Sequence, residues 1–163
     1  MKIILDHYEV NSSTMALLSV AHSDYCTIVL EENQTLYVRQ PTTKIVKAAC
    51  IEGGASYDGR RKAVSHCTGA KQRVPIPINP RDHIFAFPTH SPKLYECNWI
   101  FYHHVKYITT IKSPKDQTTK TVLTFKNGQH ITLNESHYVL KTQMQRTAIC
   151  ILRFSKQPSP AGL

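Results

Sequence analysis

Two periods of apolar and polar positions alternate along this chain, and each change of period marks an element boundary. From Thr14 to Ala21 and from Tyr25 to Leu30 the residues are apolar and β-branched, with the turn-prone His22-Ser23-Asp24 between them. Strand formers bounded by turn formers predict an antiparallel pair. Glu31-Glu32-Asn33-Gln34 makes a second turn, Thr35 to Arg39 a third strand, and Tyr8-Glu9-Val10 a short strand ahead of the set. The period then becomes helical. Ile45, Val46, Ala49 and Cys50 share one face, Thr42 or Thr43 is placed to cap the start, and Gly53 to stop the helix. Ser56 is positioned to cap a second, basic helix ending near His66, which Gly59 weakens by about 1 kcal/mol relative to Ala.

Val74-Pro75-Ile76-Pro77-Ile78-Asn79-Pro80 has too many residues without an N–H for an inner strand and reads as an extended, polyproline-like connector lying on the core. Ile84 to Phe87 is a short buried strand ended by Pro88, and Leu94 to Thr110 is mostly strand. In one continuous strand Trp99, Phe101, His103, Val105 and Tyr107 would share a face, with Ile100, Tyr102, His104 and Ile108 on the other. Thr121 to Phe125 and Gln129 to Leu133 flank Asn127-Gly128, a hairpin signal. Ser136 then caps a C-terminal helix with Leu140, Met144, Ala148 and Ile151 to one side. Residues 156–163, rich in Pro and small residues, are expected to be a disordered tail.

Strand meanders followed by helices give the α+β class. Residues 1–155 read as a single domain, with halves 1–68 and 84–155 joined by a basic, Pro-rich connector. The recurrence of meander, Asn-containing turn and capped helix suggests a pseudo-twofold duplicated domain.

Composition agrees with a packed protein: of 163 residues, 41% are hydrophobic and 19% charged. Charge adds something new. The net charge is +9, and of the 20 lysines and arginines all but Lys2 lie beyond Gln34. Asp6, Glu9, Asp24, Glu31 and Glu32 make the other end acidic. A polyanionic partner follows, with nucleic acid ahead of an acidic protein or an anionic membrane surface. Between Gly53 and Arg81 the bases Arg60, Arg61, Lys62, Lys71, Arg73 and Arg81 meet one acid, Asp58. Gly53, Gly54 and Gly59 suit a loop pressed against a ligand, and Tyr57 adds an aromatic face.

The candidate DNA-binding residues are therefore Tyr57, Gly59, Arg60, Arg61, Lys62, Lys71, Arg73 and Lys106. Tyr57 and Gly59 would shape a contact loop and Arg60 would enter a groove. Arg61 and Lys62 would hold flanking phosphates, with Lys71, Arg73 and Lys106 extending the basic face. The two helices across Gly53-Gly54 loosely imitate a helix-turn-helix, but Gly59 and the poor second apolar face favour a loop-and-sheet reader.

Other chemistry finds little support. Cys26, Cys50, Cys67, Cys97 and Cys150 have no C-x-x-C spacing and read as reduced thiols, mostly core filler. His103 and His104, the best metal candidates with Cys97, would point to opposite strand faces and scarcely share an ion. No Walker, G-x-S-x-G or HExxH sequence occurs, and the acids are dispersed. No catalytic residue, metal or cofactor is assigned. Without a signal-like segment or an apolar run of membrane length, the expectation is a cytoplasmic, nucleoid-associated protein with no membrane partner.

Several motifs occur together in order. They are Tyr8-Glu9-Val10-Asn11, Ser56-Tyr57-x-Gly59-Arg60, Pro80 with Ile84-Phe85-x-Phe87-Pro88-Thr89, and Trp99-Ile100 ahead of His104-Val105-Lys106. Phe125-x-Asn127-Gly128 and Gln143-x-x-Arg146-Thr147-Ala148 complete the set. From Tyr8 to Arg153 the chain thereby resembles the ComK family of bacterial competence transcription factors. The resemblance implies an activator of DNA-uptake genes, binding paired A·T-rich boxes of double-stranded DNA mainly through the minor groove as a homodimer or higher assembly. It also implies an adaptor that delivers such proteins to a Clp protease through a longer tail. The end at Leu163 makes that control, and truncation itself, matters of expectation here.

Overall fold

The structure, a computed structural model, describes residues 2–155, so the expected disordered tail lies outside the described residues. Its larger sheet has seven strands: β1 Ile4–Leu5, β2 Thr14–Ser19, β3 Thr27–Glu31, β4 Thr35–Val38, β5 Ile76–Asn79, β6 Ile84–Pro88 and β7 Trp99–Phe101. Their order is β1-β4-β3-β2-β7-β6-β5. The β1–β4 pair is parallel, and the other pairs are antiparallel. A second sheet, in the order β10-β9-β8, contains β8 Val105–Lys112, β9 Thr119–Phe125 and β10 His130–Leu133. The helices are α1 Thr42–Glu52, α2 Tyr57–Thr68 and α3 His137–Phe154. The α+β class holds.

Side-chain alternation divides the large sheet into two apolar faces. Leu17, Val29, Ala86, Trp99 and Phe101 pack with Ile45, Val46 and Cys50 of α1 and with Tyr57 of α2. Ala16, Leu30, Phe87 and Ile100 point the other way, toward Leu123, Phe125 and Leu133 of the second sheet and Leu140 of α3. A smaller cluster of Val64, Val74, Phe85 and Cys150 lies where α2 and α3 meet. Tyr57 and Val64, two turns apart on α2, join different clusters, and α2 packs against β5, the edge strand of the sheet.

Several expectations need correction. Tyr8-Glu9-Val10 is not a strand; the strand is Ile4–Leu5, which pairs with Tyr37 and Val38. Tyr8 is buried instead, its hydroxyl bonded to Glu31 and to Thr14. The supposed connector forms β5, an edge strand paired with β6 alone, where Pro77 is tolerated. The strand expected from Leu94 to Thr110 begins only at Trp99 and is broken by a 3₁₀ turn at Tyr102–His104, where the chain leaves one sheet and enters the other. That turn resets the side-chain alternation: Trp99 and Phe101 lie in the first core, whereas Val105 joins Ile100 in the second.

Helix ends differ in detail. Pro41 occupies the N-cap of α1 without a side-chain bond. Thr42 Oγ1 donates to the carbonyl of Cys97 at 2.7 Å, and Thr43 Oγ1 accepts from Trp99 Nε1 at 3.3 Å. Gly53 closes α1, but at φ −78°; the positive φ belongs to Gly54. Gly53 is required for space: a Cβ there would lie 2.3 Å from the carbonyl oxygen of Ile78. In α3 the buried residues are Leu140, Gln143, Thr147 and Cys150, so the inward face is turned from the expected Leu140, Met144, Ala148 and Ile151, of which only Leu140 is buried, and it includes two polar residues.

The two meander-then-helix units occupy different settings. Strands β2, β3 and β4 lie inside the seven-stranded sheet, whereas β8, β9 and β10 form their own. The arrangement does not establish a duplication. The first unit also shares its sheet with the second half of the chain, since Ala16 pairs with Ile100.

Candidate nucleic-acid interface

Sheet order converts the charge asymmetry of the sequence into a spatial one. The acid-rich strands and turns belong to the β1-β4-β3 end, and α2 packs against β5 at the opposite end. Ser56 Oγ accepts from the Gly59 N–H at 3.0 Å, and Gly69, at φ 76°, terminates α2 in the left-handed region. Tyr57 and Gly59 thus form the first turn of a helix instead of a contact loop.

Tyr57 also faces inward. Its ring meets Trp99 edge-on at 6.3 Å, and Lys47 Nζ lies 5.6 Å from its centroid. Burial pushes its hydroxyl pKa up to about 12, against a smaller opposing pull from Arg61. Arg60 is half-buried and turns back toward α1, where Nη2 donates to the carbonyl of Gly53 at 2.9 Å while Nε has no partner. A cation at this end complements the negative pole of α1. This placement differs from the expectation that Arg60 enters a groove.

Arg61, Lys71 and Arg73 meet in a cleft of about 740 Å³ between α1, α2 and the loop leading to β7. Lys47, Arg61, Lys71, Arg73 and Lys93 line it with one acid, Asp58. Its back wall is held by side chains. Arg61 Nη2 donates to the carbonyl of Lys71 at 2.9 Å, and Arg146 Nη1 to that of Gln72 at 3.1 Å. Gln143 Nε2 donates to the carbonyls of Arg73 and Pro88, each at 2.8 Å. Consecutive carbonyls are thereby satisfied from behind, with Arg73 at φ 49°. Buried Gln143 has a clear use here: it fixes the wall carrying the cations.

Lys62 is exposed on α2 but does not line the cleft, and Lys106 lies on β8 of the second sheet with Nζ 5.9 Å from the Tyr107 ring. Sequence reasoning joined these surfaces and missed Lys47 and Lys93, which reach the cleft from α1 and from a loop remote in sequence. The helical phase of Lys47, away from Ile45 and Val46, was the available signal for the former. Lys93 carried none.

Beside the cleft, Glu135 Oε2 lies 3.4 Å from His90 Nε2, and Oε1 is buried without a partner. Burial raises the Glu135 pKa, while His90 and Arg73 pull it down. Burial likewise lifts the Cys50, Cys97 and Cys150 thiols to about 11 each, so they are protonated at neutral pH. All five cysteines are free. Cys97 donates to the carbonyls of His90 and Asn98, while His103 stacks edge-on with His83, Phe85 and Tyr102. Among the described residues no helix is long and apolar enough to cross a membrane.

The family model for the ComK protein matches residues 5–159. The chain belongs to the ComK family. It is also 32% identical over 145 residues to the competence transcription factor of Bacillus subtilis (strain 168), covering 88% of this chain and 73% of that protein. No solved structure matches. The ComK motifs acquire physical roles in this fold. Gln143 and Arg146 pin the cleft wall, while Thr89 accepts from the N–H of Asn98. Tyr8 and Asn11 bond the buried Glu31.

Proposed function

We propose that this ComK-family chain is a transcriptional activator of competence genes, binding double-stranded DNA and acting without a catalytic step. The observation carrying the proposal is the cationic cleft: bases from separate chain segments converge around one acid on a wall whose backbone is already satisfied. Such a surface is suited to phosphates, because each neutralised phosphate releases a condensed counterion. In this reading Arg61 holds phosphates, and Lys71 and Arg73, expected to extend the basic face, do so with Lys47 and Lys93. Lys62 contacts flanking phosphates, while Tyr57, Gly59 and Arg60 shape and brace the helix bearing them.

The finer reading is selection of A·T-rich boxes through the minor groove by a homodimer or larger assembly, at the nucleoid in the cytoplasm. Delivery to a Clp protease by an adaptor belongs to the same proposal. Gel shifts in rising salt, with A·T-rich and G·C-rich duplexes, test it. A steep log–log fall in affinity with a retained A·T preference is expected. Unchanged mobility at low salt overturns the proposal and favours an acidic protein or anionic membrane surface as the partner of the basic face.

A further inference from the structure

With Arg60 turned inward, selection of base pairs calls for another surface. The second sheet supplies one. Its inner face is closed by Leu123, Phe125 and Leu133 against the core. On its outer face the register sets Thr109 opposite Val122 and Val122 opposite Thr132, a row of short methyl-bearing side chains across three strands. Beside that row lies Ile111, 52% exposed and opposite Lys120. Tyr107, 50% exposed, lies opposite Thr124.

The charge of this face names its occupant. Lys120 lies on it opposite Ile111, while Lys106, Lys112, Lys115 and Lys126 flank it at the strand ends and in the distal turn, Lys112 being in register with Thr119 on the other side of the pleat; Asp116 is the one acid between Val105 and Asn134. Asp116 lies in the distal turn, its carboxylate accepting from the N–H and hydroxyl of Thr118. A second copy brought face to face would set lysines against lysines, whereas a polyanion neutralises them. Three strands span about 10 Å and eight residues of β8 about 27 Å, enough to follow several base-pair steps.

We propose that the outer face of the β8–β9–β10 sheet is the surface that distinguishes A·T from G·C, seated against the minor groove while the cleft grips phosphates. The inference rests on the DNA-binding reading above. In that groove A·T pairs present only acceptors, and guanine adds a protruding amino group. The methyls of Thr109, Val122 and Thr132 pack closely on a floor without that group, and threonine hydroxyls donate to its acceptors. Sheets that lie in the minor groove are an established mode of recognition.

The test measures affinity for three duplexes that differ only in the box: A·T, G·C, or inosine·cytosine, which restores the minor-groove floor of A·T. Wild type binds the A·T and inosine boxes about equally and the G·C box about tenfold more weakly. Thr109→Glu and Thr132→Glu, both at exposed positions, each weaken A·T-box binding about tenfold or more, with far-ultraviolet dichroism unchanged. Val122→Ala narrows the A·T to G·C ratio, whereas Lys71→Ala lowers the salt slope and leaves the ratio intact. If wild type prefers A·T and these sheet variants keep both its affinity and its ratio, the sheet assignment falls and the DNA-binding reading stands. Absence of any duplex binding by wild type overturns the reading itself. Sheet variants that alter sedimentation but not DNA affinity identify a second copy as the occupant and also overturn this inference.

Discussion

The cleft beside α2 and the outer face of the second sheet are both cationic, but they are built in opposite ways. The cleft is recessed, and arginines in and around it are engaged: Arg61, which lines it, and Arg146, behind its wall, hold backbone carbonyls, and Arg60 braces Gly53. The sheet face is open, with lysines on flexible stems around a row of small side chains. A guanidinium donating to a carbonyl shapes a surface; a free ammonium group at its rim is available to a phosphate. Counting basic residues along the chain cannot separate those uses, whereas their hydrogen-bond partners can.

The largest effect that separates the surfaces is expected from Gln143→Leu. The substitution strips the carbonyls of Arg73 and Pro88 of their donor in a buried setting. A loss of about 2–4 kcal/mol in urea unfolding follows from unsatisfied buried acceptors. Below the unfolding transition, DNA affinity falls because the wall carrying Lys71 and Arg73 is released, while the A·T to G·C ratio persists. Wild-type stability in this variant would show that the wall does not depend on Gln143.

A smaller change tests whether the surfaces are held in fixed relation. Tyr8, Asn11 and Gln34 donate to Glu31, the Asn127 side chain donates to the carbonyl of Glu32 at 3.0 Å, and His104 Nε2 lies 2.7 Å from the carbonyl of Ser12. This network joins the hairpin of the second sheet to the first sheet. Burial opposes ionisation of Glu31, but the donations from Tyr8, Gln34 and Asn11 outweigh it and hold its pKa below the ordinary value. The resulting stabilisation is present above the unfolded-state carboxylate pKa and disappears as pH falls through the lower folded value. Tyr8→Phe therefore costs about 1.5–2 kcal/mol at pH 7. The gap from wild type closes as the pH drops below that of the usual carboxylate range, and a gap independent of pH would exclude the charged hydrogen bond as its source.

How much of this was legible in the sequence depends on the range of the interactions involved. β2, β3 and β4, the Asn127-Gly128 hairpin, the Gly53 stop of α1 and the Ser56 cap of α2 follow from local pattern and turn chemistry, and all are present. β1 was missed because its parallel partner is over thirty residues away, at Tyr37 and Val38. The break between β7 and β8 was missed because alternation continues in sequence through Tyr102–His104 while the backbone turns. Gln143 and Thr147 lay outside the apolar stripe read for α3; one serves carbonyls remote in sequence, and the other bonds the carbonyl of residue 143 within its own helix. The basic character of the site was plain from composition. Which bases point outward was not, because the direction of a guanidinium is decided by carbonyls that only the fold brings near.

Arg60 makes that last distinction measurable. Its side chain donates to the carbonyl of Gly53, so Arg60→Ala is expected to cost about 1 kcal/mol of stability. It should weaken A·T-rich and mixed-sequence DNA alike, through the position of α2. A selective loss on A·T-rich DNA would return Arg60 to the groove and move base reading from the sheet to the helix.

The smallest expected effects come from single lysines, and they compare the surfaces most directly. Lys93 lines the cleft and Lys112 ends β8, and both are exposed. Each substitution to alanine should reduce the steepness of the log affinity against log salt plot by about one, since one phosphate contact contributes about 0.9. Neither should change the A·T to G·C ratio, because a point charge on a phosphate carries no base information. If Lys93→Ala leaves the slope unaltered, the cleft does not grip DNA, and the cations gathered there serve another anion. If only Lys112→Ala leaves it unaltered, the sheet meets the duplex without its far end. The pair of slopes thus maps how much of each surface the backbone of the DNA touches.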